Sequence, residues 1–596
     1  MTEVSPTLAQ IEQRSARAID AIAKRPWLAA AVLIAIALLC YLPGLLALPP
    51  VDRTDVIYAE SSRAMLERGD LLDARFVEQQ FAFRPIGIYW LQIASGKLLG
   101  PGAWDAISTY RFPSLLGGLL AVLAVWWLLR PLLGPRGSVI AAAFYAVTPI
   151  VALQAQLAIP EGPLLLAAAV AQLSLLRIYY CAAEGERHTG LAILFWAAQG
   201  FGILLNALAV PILSLSTIIA LFIFDRKAGW LKRLRPLMGV PAMIVIAAPW
   251  ILVRAHIDGG VPFSSLTWWQ LLNALGGAQD MKLQAVPFTF TLAVIVGFLP
   301  GAVLLVPGIK GLWTGRAAAL QRFLFAWLVG YLAYLELIAS KPALYTVQAV
   351  FPAAAAAAAL ALERNGHLEL PPGMLRLPWW LVLAVMAALL SGVLWIAGVP
   401  PNVGIVIGVL IVTAMITLAA ITASQNLVAA WLVTIVVGCA LFVGFMFGAV
   451  MPQSEKAWPA ERIAAAIAPL QRCVSGPVRV VGFREPSTIF TLGRQSIVVL
   501  PDEIEDWLAG GEGVITVVED RWDAELQAEL LARGAELGRR VGCVEAFNIM
   551  RGCPLSFSIY VRGEAKLDAS CAVAPANVCK RSVPPPQDNV ATSRCY

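Results

Sequence analysis

The run from Asn402 to Val450, NVGIVIGVLIVTAMITLAAITASQNLVAAWLVTIVVGCALFVGFMFGAV, decides the fold class. It reads as two apolar stretches, 402–423 and 427–449, joined by a short polar turn. A helix needs roughly 17–25 apolar residues to cross about 30 Å of hydrocarbon, and each stretch is that long. Working outward, comparable stretches recur near 27–48, 112–132, 138–156, 162–180, 190–206, 208–224, 237–253, 287–306, 323–339, 343–362 and 379–397. About thirteen spans are therefore expected. The pair around 190–224 is the weakest, being short and interrupted by Asn206 and Pro211.

Composition points the same way. The 596 residues are 59% hydrophobic and 14% charged, with mean hydropathy +0.75. Soluble domains lie nearer roughly 45–50% apolar and about 25% charged. Such an excess cannot be hidden in water-soluble cores, so a soluble enzyme is excluded for most of the chain. Disorder fails on hydrophobicity, and a collagen-like fibre fails for want of a glycine period. The chain reads as a polytopic α-helical membrane protein.

The net charge of +6 matters less than its distribution. Arg14, Arg17, Lys24 and Arg25 precede the first span. Arg226, Lys227, Lys232, Arg233 and Arg235, then Lys310, Arg316 and Arg322, then Arg364 and Arg376 fall on the same side if the span count holds. Loops rich in lysine and arginine stay cytoplasmic, so the N-terminus is expected inside and the C-terminus outside a bacterial inner membrane. The first span has a basic flank but no cleavage site, and reads as an anchor. The alanine run Ala353–Ala359 is what close helix packing in lipid uses.

Two segments are not membrane-like. Residues 50–111 form a long outer loop within a membrane domain of residues 1–451. Residues 452–563 form a soluble periplasmic domain. There, 477–483, 496–501, 513–520 and 555–563 read as strands, and WPAERIAAAIAPL and DAELQAELLARGAEL as helices, giving a small α/β domain. Residues 564–596 read as a flexible tail. Six of nine cysteines (Cys473, Cys543, Cys553, Cys571, Cys579 and Cys595) lie in this soluble part, with no CxxC and all three histidines elsewhere. Disulfides in an oxidising compartment are favoured over zinc, and at least two are expected.

The outer loop carries the candidate chemistry. Thr54 or Asp52 can cap a helix running to about Met65–Arg68, with Gly69 as its stop. Ile57, Ser61 and Met65 share a face, so this helix is expected to lie along the membrane surface. From spacing alone, Asp52 and Asp55 read as a cap and a dipole-complementing acid.

The segments Asp52–Asp55, Tyr58–Glu60, Arg63–Asp70 and Arg84–Gln92, followed in order by AQGFGILLNALAVPIL, DRKAGWLKRLRPLMGVPA with APWILV, and ASKPALYTVQAVFPA, resemble one family over about residues 45–365. It is the aminoarabinose-transferase-like family of glycosyltransferases, related to the protein O-mannosyltransferases. The resemblance implies a C-type glycosyltransferase fold with about thirteen spans, juxtamembrane helices and a soluble α/β C-terminal domain. It implies transfer of a sugar from a polyprenyl-phosphate donor to an envelope glycolipid, polysaccharide or protein, with membrane lipids as surroundings and no nucleic acid as partner.

The resemblance also implies site residues. Arg84 matches the family's loop lysine and would bind the lipid phosphate with its planar fork. Lys341 matches another basic position, although interfacial snorkelling also explains it. Asp55 keeps the second acid of the family's pair and would act as base or orient the sugar, while Thr54 replaces the first and Asp52 stands two residues earlier. Tyr58 and Tyr345 fall among the substrate-binding positions. Glu161 stands where the family has aspartate, Asn206 where a lysine is expected, and Gln284 where a histidine is often found. No cofactor is implied with certainty, and a divalent metal ion is the one left open. The rival readings are a catalytically silent member that binds lipid-linked sugar, and a transporter.

Overall fold

The computed structural model describes residues 6–51, 54–72, 74–76, 79–80, 85–181, 189–206, 208–226, 228–257, 287–337, 344–364, 367–371, 391–392, 399, 402–474, 476, 478–483, 485–493, 497–499, 514–548 and 553–562. These fall into two compact units. One comprises residues 1–46, 61–388 and 403–449, the other 47–60, 389–402 and 450–596.

The first unit is helical. Its early helices are α1 (Pro6–Lys24), α2 (Pro26–Ala47), the greater part of α3 (Thr54–Arg68), α4 (Gly87–Leu99), α5 (Ile107–Ala146), α6 (Pro149–Gln156), α7 (Glu161–Cys181), α8 (Thr189–Asn206), α9 (Ala209–Asp225) and α10 (Pro236–Ile257). Among the described residues six helices are long and apolar enough to cross a membrane: α2, α5, α7, α8, and those at Val403–Ser424 and Val428–Val450. A seventh is reached if the bent pair Thr289–Gly297 and Gly301–Thr314 counts as one span. The protein is a multi-pass helical membrane protein.

Several expected spans differ in detail. Residues 112–132 and 138–146 belong to one helical run, α5, broken only at Gly134 (φ 73°) between Pro131 and Pro135, while 149–156 form the separate helix α6. Proline and glycine there kink the chain without abolishing helix on either side. Residues 287–306 do not make one straight span: the helices flanking Pro300 are bent by 113°. The stretch at 343–362 opens with a 3₁₀ turn, Leu344–Val350, before the helix Phe351–Leu362. The expected span 379–397 falls almost wholly outside the described residues, and the tail 564–596 entirely so.

Small residues set the packing. Ala353 to Ala359 are all buried, and a Cβ on Gly308 would stand 3.0 Å from the Ala357 carbonyl oxygen. Here small side chains let backbones meet, as the alanine run implied. Helix α1 is tied to the bundle by charge. The Glu12 carboxylate accepts the backbone N–H groups of Ala429 (2.8 Å) and Ala430 (3.0 Å), and Arg136 Nε donates to Asp20 Oδ1 at 2.7 Å. Glu12 thus satisfies two orphan donors at the start of another helix, where the dipole favours an anion.

Two two-residue hairpins lie in loops: β1 (Arg75–Phe76) with β2 (Gln79–Gln80), and β3 (Glu363–Arg364) with β4 (His367–Leu368). The second unit carries a five-stranded mixed sheet of β5 (Val478–Val481), β6 (Ile497–Val499), β7 (Val514–Glu519), β8 (Arg539–Asn548) and β9 (Cys553–Arg562), in the order β6-β5-β7-β9-β8. The strands β5, β6 and β7 are parallel, while β9 runs antiparallel to both β7 and β8. Every residue of β5 and β7 is buried, as befits central strands covered on both faces. On one face Ile463, Ile467 and Leu470, from the helix Pro459–Gln471, join the core of Val480, Val517 and Ile559. On the other, Leu526 and Leu530, from the helix Asp520–Ala532, join Val481, Val518 and Tyr560.

One polar cluster ties β9 to the helix Asp520–Ala532. The Tyr560 hydroxyl donates to the Asp523 carboxylate (2.8 and 2.9 Å), and Gln527 Nε2 donates to the Tyr560 oxygen at 3.0 Å. Burial and the neighbouring Asp523 push the Tyr560 hydroxyl up to about 12. Cys40 and Cys439 of the first unit are free thiols.

Glu461, in the first turn of the helix Pro459–Gln471, has its acidity weakened by burial. A carboxyl whose folded pKa is raised favours folding fully below its unfolded value, and that contribution is lost as pH rises through the folded value. Glu461→Gln is therefore expected to stabilise this domain at neutral pH, with the gain vanishing below the ordinary carboxylate range. Hydrogen exchange at Val514–Glu519 in the full chain, compared at acid and neutral pH, checks this; equal protection of variant and parent at neutral pH would contradict it.

Candidate functional site

Helix α3 starts at Thr54 and ends where expected, with Gly69 at φ +69° and its N–H on the Leu66 carbonyl (3.3 Å). It is not a one-faced surface helix. Asp55, Val56, Ala59, Ser61, Ser62 and Met65 are all fully buried, and Arg63 is buried as well. Its composition is mixed rather than striped, so enclosure comes from distant parts of the chain. Arg63 donates to Asp105 at 3.3 Å and approaches Glu67 at 3.9 Å. A buried guanidinium needs such partners.

Asp55 is 0% exposed, and its Oδ2 accepts the Val51 N–H at 3.2 Å. The acid thus reaches back to the chain entering the helix. Tyr58 is buried one turn later.

Glu161 opens α7 and is 7% exposed. An acid there complements the helix dipole. The connection before it is held by side chains from two other helices. Gln92 of α4 donates through Nε2 to the Ala158 carbonyl (3.0 Å), and Ser114 of α5 donates to the Ile159 carbonyl (2.9 Å). Gln92 Oε1 in turn accepts the Ser62 hydroxyl of α3 at 2.6 Å. Glycines permit the approach: a Cβ on Gly162 would stand 2.6 Å from Ser114 Cα, and one on Gly117 the same distance from Pro163 N. Likewise Gly87, opening α4, lies so close to α8 that a Cβ would meet the Leu204 carbonyl oxygen at 2.5 Å.

The structure therefore links the connection before Glu161 to α3 through Gln92 and Ser62, residues that the sequence reading did not single out. Their signal was faint: a single glutamine and a single serine with no motif of their own. Arg111, also missed, is fully buried in α5 and donates to the Leu45 carbonyl at 3.4 Å. Asn206 ends α8, half-buried. Tyr345 lies on the 3₁₀ turn Leu344–Val350. Asp52, Arg84, Lys341 and Gln284, and the side chains of Thr54 and Tyr345, lie outside the described residues.

One turn into α7, Leu164, Leu165 and Ala168 face a recess shared with Val210 and Leu213 of α9, Tyr331 and Gln348. It is small, about 20 Å³, and mainly apolar. Among the described residues no three histidine, cysteine or acidic side chains gather as metal ligands would.

Comparison with known proteins supplies the rest. Residues 84–253 match the family model for dolichyl-phosphate-mannose-protein mannosyltransferase. The chain is 29% identical over 309 residues to an undecaprenyl phosphate-alpha-4-amino-4-deoxy-L-arabinose arabinosyl transferase of Edwardsiella ictaluri, covering 51% of this chain and 53% of that one. It is 27% identical over 410 residues to the like-named protein of Pectobacterium carotovorum, covering 67% and 71%. The alignment thus spans only about half the length of the first of these relatives. The fold matches that of ArnT from Cupriavidus metallidurans bound to undecaprenyl phosphate, with TM-score 0.66 and 18% identity over 91% of this chain and 99% of that one. The apo form of the same protein matches at 0.64, with 19% identity over 91% and 98%. By sequence the chain is a distant relative of the aminoarabinose-transferase-like and protein-mannosyltransferase membrane glycosyltransferases, and by fold it is built as the solved ArnT is.

Proposed function

We propose that the protein is an integral-membrane glycosyltransferase that moves a sugar from a polyprenyl-phosphate donor to an envelope acceptor, a glycolipid such as lipid A, a polysaccharide or a protein, at the outer face of the bacterial inner membrane. The observation that carries this reading is the fold match along nearly the whole length of a protein crystallised with undecaprenyl phosphate. The acids Asp55 and Glu161 suit it, because both are buried and Asp55 accepts the Val51 N–H.

On this reading the acceptor oxygen bonds to the anomeric carbon as the bond from that carbon to the phosphate oxygen breaks. The leaving polyprenyl phosphate keeps the electron pair, and Arg84 and Lys341 neutralise it. Asp55 takes the proton of a hydroxyl acceptor, with Asp52 at the rim of the site. Glu161, Tyr58 and Tyr345 bind the sugar phosphate. Incubating the purified protein with radiolabelled polyprenyl-phosphate sugars and envelope extract tests the reading: label should move to a new acceptor, and donor returned unchanged in every case would refute it.

The departures at Thr54, Glu161, Asn206 and Gln284 favour a second reading, a silent relative that binds the lipid-linked sugar without turning it over. A phosphate acceptor, which needs little base catalysis, would reconcile these departures with an active enzyme.

About thirteen spans, an inner N-terminus and a periplasmic domain over 452–563 belong to the same proposal. A reporter active only outside the cytoplasm, fused after Gly563, should be active. Mass spectrometry without reduction should find at least two disulfides, with Cys473 and Cys543 in linked peptides. An inactive fusion, or free alkylation of all six cysteines, would contradict this topology.

A further inference from the structure

The connection between α6 and α7, Leu157–Pro160, is buried throughout, unlike most loops, which run over the surface. Two of its four carbonyls are fixed by side chains from elsewhere, Ala158 by Gln92 and Ile159 by Ser114. Both side chains are 0% exposed. The two bonds act on consecutive residues, with only Pro160 between them and Glu161. Pro160 has a fixed φ, so orientation imposed at Ile159 passes to Glu161 with little slack. The close approach of Gly117 and Gly162 leaves the first turn of α7 no room to shift sideways against α5. Through Ser62, Gln92 also couples this connection to α3.

We propose that Gln92 and Ser114 are positioning residues for glycosyl transfer: they aim the Glu161 carboxylate by clamping the two carbonyls before it. The inference rests on Glu161 being a site residue, as proposed above. A misplacement of about 1 Å in a reacting constellation costs on the order of 10²-fold in rate, so a two-bond clamp has leverage.

The test uses the full-length protein with undecaprenyl-phosphate-linked 4-amino-4-deoxy-L-arabinose as probe and envelope extract as acceptor. Ser114→Ala removes one clamp bond and little volume. Gln92→Met keeps most of the volume but cannot donate to Ala158. Each should lower kcat about 10- to 100-fold, with KM and melting temperature close to those of the parent. Neither should cause further loss when added to Glu161→Gln, since residues acting through one group are not additive. Hydrogen exchange at the backbone amides of 158–164 should accelerate in both variants whether or not transfer is detected with this donor. Parental kcat, additive losses in the Glu161→Gln background, or unchanged exchange would overturn the clamp. Glu161→Gln turning over at the parental rate would instead overturn the assignment of Glu161 itself.

Discussion

Replacing Asp55 by asparagine is expected to lower turnover by about 10²- to 10⁴-fold, the usual worth of a positioned general base, while leaving folding and donor binding nearly unchanged. The substitution is informative because of what asparagine keeps. The Asp55 Oδ2 accepts the Val51 N–H, and an amide oxygen can accept the same bond, so a purely structural role would survive. The carboxylate charge and its basicity would not. Asp55→Ala removes both functions and should also destabilise the protein, by about 1–3 kcal/mol for the unsatisfied group. Donor binding, turnover and melting temperature for the two variants separate the roles. An asparagine variant with full turnover would reduce Asp55 to a backbone tie.

The second large effect is expected at Arg84. A guanidinium meets a phosphate through two parallel N–H bonds, whereas an ammonium offers a point charge. Arg84→Ala should weaken undecaprenyl phosphate binding and lower turnover by on the order of 10²- to 10³-fold, the scale for losing one donor to developing negative charge. Arg84→Lys should fall between that and the parent. Titration with undecaprenyl phosphate, followed by turnover, checks the order. A lysine variant as impaired as the alanine one would mean that shape rather than charge is required, and an alanine variant that binds normally would remove Arg84 from the site.

Apolar run length made the membrane class legible, because hydrocarbon tolerates little else for that distance. Where the runs break was less legible. The expected span at 287–306 is apolar on both sides of Pro300, so hydropathy stays high while the helix axis turns by 113°. In the second unit four strands and two helices were readable from alternation and period. Strand β8 was missed: it begins with Arg539 and Arg540, and its register shifts between Arg540 and Gly542, which breaks the alternation that a reader looks for.

The candidate site divides in the same way. From spacing alone Asp55 reads only as an acid at a helix start, and Glu161 is singled out by the family resemblance. The burial of α3 on all sides could not be read, since it depends on residues remote in the chain. The links from Ser62 to Gln92 and from Gln92 to Ala158 bridge 30 and 66 residues of sequence, and no local pattern announces a pairing at that distance.

Glycosyl transfer itself is tested most directly by donor cleavage in a single turnover. Purified protein in excess is mixed with undecaprenyl phosphate carrying a radiolabelled sugar, in the presence of envelope extract, and free undecaprenyl phosphate and labelled acceptor are quantified together. An active glycosyltransferase forms the two in equal amounts, and Asp55→Asn binds the donor but forms neither. Donor that stays bound and intact on the parental protein would contradict the proposed activity and identify a silent lipid-sugar-binding relative.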